Sequence, residues 1–220
     1  MRAARLLSHV ACGALLAAVL ALPACDKHHN VTAAAPPGPS PPPQPPIAGD
    51  ACSGASPYTL AGYHWAGAAA SYAYGSNLPT AWRSSVDAAV ATWNAAGSRL
   101  RITRDPSTGG SSAARDGKSI VCMGSLPSGV LGTTYTWYST STHVVSEADV
   151  VLTTDLPMTL GGGPTSVDVQ SVLTHEFGHF CGLDHVSDVT HTMYPSIPNN
   201  SQIYRTLCDG DLLGVRTIYP

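Results

Sequence analysis

Residues 167 to 185 read VDVQSVLTHEFGHFCGLDH, and this stretch decides what the chain can fold into. Val169, Val172, Leu173 and Phe177 recur at helical spacing and build one apolar face. Ser166 or Asp168 can cap such a helix at its start. Gly182 can take a positive φ and end it, turning the chain back sharply. His175 and His179 stand four apart, so on a helix they project from one face about 40° apart. Glu176 lies beside them, placed to serve as a base for water without ligating a metal. The turn at Gly182 brings His185 to the same point from outside the helix. Three neutral imidazoles with one position left open make a catalytic type of zinc site, since a structural site closes with four protein ligands. Two histidines four apart occur by chance on many helix surfaces, but Gly182 and His185 at the required spacing make coincidence a poor account. Cys181 stands two residues past His179, about 200° round the helix, and so faces the core.

Working outward, a folded domain is expected from about Tyr58 to the end of the chain. Ser71 to Tyr74 reads as a short strand. Trp82, Val86, Ala89, Val90 and Trp93 fall at helical spacing after Leu78-Pro79-Thr80, with Gly97 as the stop. Leu100 to Thr103 alternates apolar and polar, as a half-buried strand does. Residues 105 to 118 are rich in Gly, Ser and Asp and read as a loop. Ser119 to Met123, Thr133 to Tyr138 and Asp149 to Thr153 are strand candidates. A loop at 161 to 164 precedes the histidine helix, and a last helix covers roughly Asp209 to Tyr219. No internal repeat is visible.

The chain before this domain reads differently. Arg2 and Arg5 give a basic start, and Val10 through Leu22 is an apolar run too short to span a bilayer as a helix. Residues 1–25 therefore read as a secretory signal. It ends Leu22-Pro23-Ala24-Cys25, which resembles a bacterial lipobox, so Cys25 is expected to carry lipid. Residues 26–57 read as a Pro-rich linker, because APPGPSPPPQPPIAG cannot build a core and favours extended polyproline geometry. His28 and His29 lie in this tail and read as solvated. Of the six cysteines, Cys52, Cys122, Cys181 and Cys208 remain for disulfides in an oxidising compartment, with three possible pairings. The net charge of −3 and the 11% of charged residues exclude a nucleic-acid footprint.

The pattern H-E-x-x-H-x-x-G-x-x-H at 175 to 185 resembles the metzincin signature, and Thr192-Met193-Tyr194-Pro195 matches the Met-turn that lies beneath the metal in that clan. Within it the chain most resembles the matrixins. The helix VDVQSVLTHEFGH, the ending GDLLGVRTIYP and the earlier LPTAWRSSVDAAVATW all carry the likeness, which covers roughly 58–220. The resemblance implies an α+β fold of the metzincin type: a twisted mixed sheet, mostly parallel, three helices, and a zinc cleft between upper and lower subdomains. It also makes EADVVL at 147 to 152 the edge strand lining the cleft. It implies a bridge from Cys181 to Cys208, leaving Cys52 and Cys122 as the second pair. The chain departs from the family in carrying no cysteine-switch motif, in having Val186 where Ser is usual, and in having no recognisable His- and Asp-rich loop between 105 and 165. Ca2+ therefore has no support. Tyr194 follows Met193 directly, unlike the astacin arrangement.

These readings converge on a zinc-dependent endopeptidase of matrixin type, holding one Zn2+ on His175, His179 and His185, with Glu176 as general base, Met193 in the Met-turn, and Tyr194 and Ile197 walling the pocket past the cleaved bond. His191 breaks the ligand spacing and is expected in a surface loop; His64 and His143 are isolated. The expected partners are a protein or peptide substrate and, through Cys25, a membrane, with no nucleic acid; the protein is expected to be a monomer, extracytoplasmic, and anchored in the envelope or secreted. Two rivals stand beside this: a non-catalytic lipid-anchored zinc-binding module, which would most readily lose Glu176, and a narrow-specificity processing protease.

Overall fold

The computed structural model describes residues 27–34 and 58–220. The expected signal, Cys25 and most of the linker lie outside the described residues. The strands run β1 Lys27–Ala34, β2 Thr59–Leu60, β3 His64–Trp65, β4 Ala69–Gly75, β5 Arg101–Gly109, β6 Ile120–Gly124, β7 Val130–Tyr138, β8 Val144–Thr153, β9 Met158–Thr159, β10 Val167–Asp168 and β11 Leu183–Asp184. Three α-helices are interspersed: α1 Arg83–Asn94, α2 Val169–Cys181 and α3 Asp209–Ile218.

The main sheet has the order β1-β7-β8-β6-β4-β5, with β3 also on β8. The pairs β4–β5, β4–β6, β6–β8 and β3–β8 are parallel. Only β7 breaks the direction, running antiparallel to β8 and to β1. The sheet is thus mixed and mostly parallel, and with three helices it matches the expected class. On β8 one face is apolar, with Ala148, Val150 and Leu152 completely buried, while the other carries the buried acids Glu147 and Asp149. The helices α1 and α2 share one core with the sheet, α1 through Val86, Ala89 and Trp93 and α2 through Val169, Val172, Leu173 and Phe177.

Several expectations are corrected here. EADVVL belongs to β8, an interior strand paired on both sides, so it cannot line the cleft; the strand beyond it is β7. The stretch 105–118 is not all loop, since β5 continues to Gly109 along β4. Residues 27–34, read as linker, form β1 on β7. Backbone pairing is indifferent to side-chain identity, so neither the partners of a strand nor its place in the sheet is written in its own residues. Cys181 and Cys122 are both free and buried, which rules out the Cys181–Cys208 and Cys52–Cys122 pairs. Cys208 is disulfide-bonded, and its partner lies outside the described residues.

The loop from 110 to 119 is closed onto two acids of β8. Glu147 and Asp149, two apart and so on one face, are both buried. The Asp149 carboxylate accepts from the amides of Ala114 and Ile120, and Glu147 from those of Asp116 and Gly117. Burial outweighs these bonds and pushes Asp149 up to about 7; it raises Glu147 as well. Backbone donors answer these acids here.

Candidate metal centre

The helix α2 carries two of the three histidines, and both its ends are held from outside. At its start Asp168 is the cap: its carboxylate accepts from the Ser171 amide at 2.9 Å and hydroxyl at 2.8 Å. It also accepts from the Gly161 amide and, through two bonds of 2.7 and 2.6 Å, from the Arg205 guanidinium. Burial opposes the ionised form of Asp168, but Arg205, Ser171 and Gly161 together outweigh it and hold the carboxyl below its usual range. At the far end Gly182 takes φ of 102°, and a Cβ there would meet the Tyr63 carbonyl at 2.6 Å. The last carbonyls of a helix have no partner within it. Here three aromatic side chains donate to them: Tyr63 Oη to His179 at 2.8 Å, Trp65 Nε1 to Phe180 at 2.8 Å and Tyr219 Oη to Cys181 at 3.0 Å.

His175, His179 and His185 converge. Their Nε2 atoms lie 3.0, 3.2 and 3.2 Å apart. Nδ1 of His175 sits 2.6 Å from the Thr192 carbonyl, and Nδ1 of His179 sits 2.9 Å from the Leu183 carbonyl. A carbonyl only accepts, so each of these Nδ1 atoms carries the ring proton and each Nε2 is a bare lone pair. Lone pairs gathered at about 3 Å repel unless a cation lies between them. Zn–N bonds of about 2.0–2.1 Å in a tetrahedron would set the nitrogens roughly 3.3–3.4 Å apart, so the residues fit such an ion. Burial, and after it neighbouring His185, push His175 down to about 3; burial also lowers His185, against Asp184. Both effects keep the imidazoles neutral, the form that binds metal. Among the described residues this is the one group of three whose ligand atoms gather within 4.8 Å.

Glu176 is completely buried beside the cluster. The Thr134 hydroxyl on β7 lies 2.8 Å from its Oε2 and 3.0 Å from its main-chain carbonyl. Gly132, two residues back on the same face, makes room for it: a Cβ there would come within 2.7 Å of Oε1. Underneath, Met193 is 1% exposed, and a Cβ on Gly178 would strike its Sδ at 2.1 Å and Trp93 at 2.9 Å. The Met193 turn is tied in turn to α3. Asp211 accepts from the amides of Thr192 and Cys208, and the Val186 amide donates to the Met193 carbonyl.

Thr134, Gly132, Asp211 and the three aromatic donors were not legible as site residues. Only Gly132 carried a signal, since a glycine inside a strand marks close approach of another group. Of the pocket candidates, Tyr194 is half-buried against the core, whereas Ile197 is sealed inside it with no exposure. His191, expected at the surface, is 2% exposed: the turn folds it inward, with its Nδ1 3.6 Å from Asp188.

A mixed sheet over a helix that carries two of three converging histidines, above a methionine turn, defines a metzincin-type metal centre. The matrixin family model matches residues 80–220, and the chain belongs to the matrixin family. It is 33% identical over 93 residues to Metalloendoproteinase 1 of Glycine max, an alignment covering 42% of this chain and 30% of that protein. It is 40% identical over 60 residues to Metalloendoproteinase 1-MMP of Arabidopsis thaliana, covering 27% of this chain and 16% of that protein. The aligned part is thus less than a third of either relative.

Proposed function

We propose that the chain is a zinc-dependent endopeptidase acting on extracellular or envelope proteins. The convergence of three imidazole Nε2 atoms, two of them held bare by carbonyls at Nδ1, beside a buried, hydrogen-bonded carboxylate carries this reading, and the names of the two relatives support it. Held by His175, His179 and His185, zinc would polarise the scissile carbonyl and make water a competent nucleophile near neutral pH. Glu176 takes the proton of the attacking water and passes it to the leaving amine. Thr134 fixes the rotation of that carboxylate, so little reorganisation is needed when charge develops. The substrate lies extended along β7, whose backbone supplies the pairing and whose Gly132 and Thr134 contact the base. Export by residues 1–25 and lipid on Cys25 complete the proposal; several acyl chains anchor where one binds only marginally.

The test is the purified protein's zinc content together with cleavage of a mixed peptide library. Stoichiometric zinc and many cuts support a general endopeptidase, while a single cut marks a narrow processing enzyme. A protein that purifies without zinc and is not activated by added zinc refutes the reading. Mass spectrometry of the mature N-terminus decides the lipid: an unmodified chain beginning elsewhere ends that part.

A further inference from the structure

We propose that residues 27–34 are a tethered competitor for the substrate edge, a segment of the chain that occupies β7 as an added strand and lowers activity until it is displaced or removed. The proposal rests on the peptidase reading above. Its first observation is position. A terminal strand presents an unpaired row of N–H and C=O groups that any extended chain can cover. On this sheet that row belongs to β7, and β1 covers it antiparallel from Lys27 opposite Tyr138 to Ala34 opposite Val130.

The second observation is what lies behind the covered row. Gly132 and Thr134 of β7 both lie against Glu176, and their partners across the ladder are Ala33 and Val31. The segment therefore crosses the level of the base itself, and it also approaches α2. A peptide cannot pair with β7 at this level while β1 is in place.

The third observation is in the sequence. Residues 27–34 contain no proline and include Val31 and Thr32, which favour strands. Proline begins at Pro36 and recurs to Pro46, where a ladder is blocked. The pairing-competent window ends where the strand ends. The 23 residues from 35 to 57 join it to the domain, and a tether able to span the two sites gives an effective concentration in the millimolar range. A strand that would bind only at about millimolar concentration as a free peptide is then about half occupied or more. This predicts an inhibition of about two- to tenfold, exerted on KM and not on kcat.

The test replaces Val31 and Thr32 together by proline in the full chain. Adjacent strand residues point their N–H groups to opposite sides, so one of the two faces β7 whatever the bonding phase. The expected result is a KM for a short peptide lowered by about two- to tenfold with kcat unchanged, and a synthetic KHHNVTAA peptide that inhibits this variant competitively at about millimolar concentration. Amide hydrogen exchange is measured in parallel in the Glu176→Gln background, where nothing is turned over: β7 amides should lose protection when the prolines are introduced. Lost protection supports the placement of the segment even if no peptide is ever cleaved, so failure of the peptidase reading is seen separately. Unchanged protection overturns the proposal, as does an unchanged KM in an active enzyme.

Discussion

The end of α2 and the outer row of β7 flank the same carboxylate but are built on opposite principles. At α2, each carbonyl from His179 to Cys181 has its own donor from a particular aromatic side chain, and the floor beneath is shaped by Gly178 against Met193. Exchanging Trp65 or Tyr219 removes the aromatic donor to a buried carbonyl, and a larger residue at Gly178 makes an overlap. At β7 the outer row is bare backbone, and β1 covers it by pairing alone. On the proposed function the first region would fix where a metal sits and the second would accept an extended chain, a rigid centre beside an edge that reads shape before sequence.

The contrast predicts where substitutions act. Replacing Glu176 by Gln keeps size and metal ligands but removes the base, so activity should fall by about 10² to 10⁴-fold while zinc stays bound. Replacing His185 by Ala should instead leave the protein metal-poor. Metal analysis beside a peptide assay separates the two, and an active Glu176→Gln enzyme would sink the assignment of the base.

Replacing Asp168 by Ala strands the Arg205 charge and uncaps α2. Losing one partner of such a buried pair costs about 3–5 kcal/mol, discounted here because Arg205 is 29% exposed. The Asp168 carboxyl titrates below its ordinary 3.8 in the fold, so its contribution is full above that value and is lost as pH falls through the lower one. Denaturant titrations between pH 3 and 6 should show the wild type losing stability at the acid end more steeply than the variant. Parallel curves would contradict this.

Adding a Cβ at Gly178 forces Met193 away from the helix. The cost is about 1–3 kcal/mol, read as a lower Tm, together with weaker zinc binding, because the adjacent Thr192 carbonyl orients His175. A variant with unchanged metal affinity would show that the turn does not position the ligand.

The smallest effect belongs to the β7 side. Thr134→Val keeps the branched shape and deletes one hydroxyl bond to the Glu176 carboxylate, so kcat should drop about tenfold with little change in Tm. A loss of stability without loss of rate would mean that Thr134 serves the sheet and not the base.

The sequence by itself determined the helix α2, a cap at Ser166 or Asp168, its stop at Gly182, and the three histidines with Glu176; Met193 came with the resemblance, and the structure chose Asp168 as the cap. The helix, its ends and the histidines follow from spacing within a few turns of chain, where helical geometry converts residue number into direction. The helices α1 and α3 were legible from local sequence as well, whereas the class of the sheet came only as what the resemblance to the matrixins implied. What only the tertiary structure decided lies between distant segments. That β7 and not β8 flanks Glu176, that Thr134 holds the Glu176 carboxylate, that Asp211 and three aromatic side chains brace the site, and that Cys181 stays unpaired could not be read from any local pattern. Strand pairing is made by backbone groups common to all residues, and a donor far along the chain reaches its acceptor only after the core has packed. The covering of β7 by residues 27–34 is the clearest case, since nothing in those eight residues names the strand they would meet.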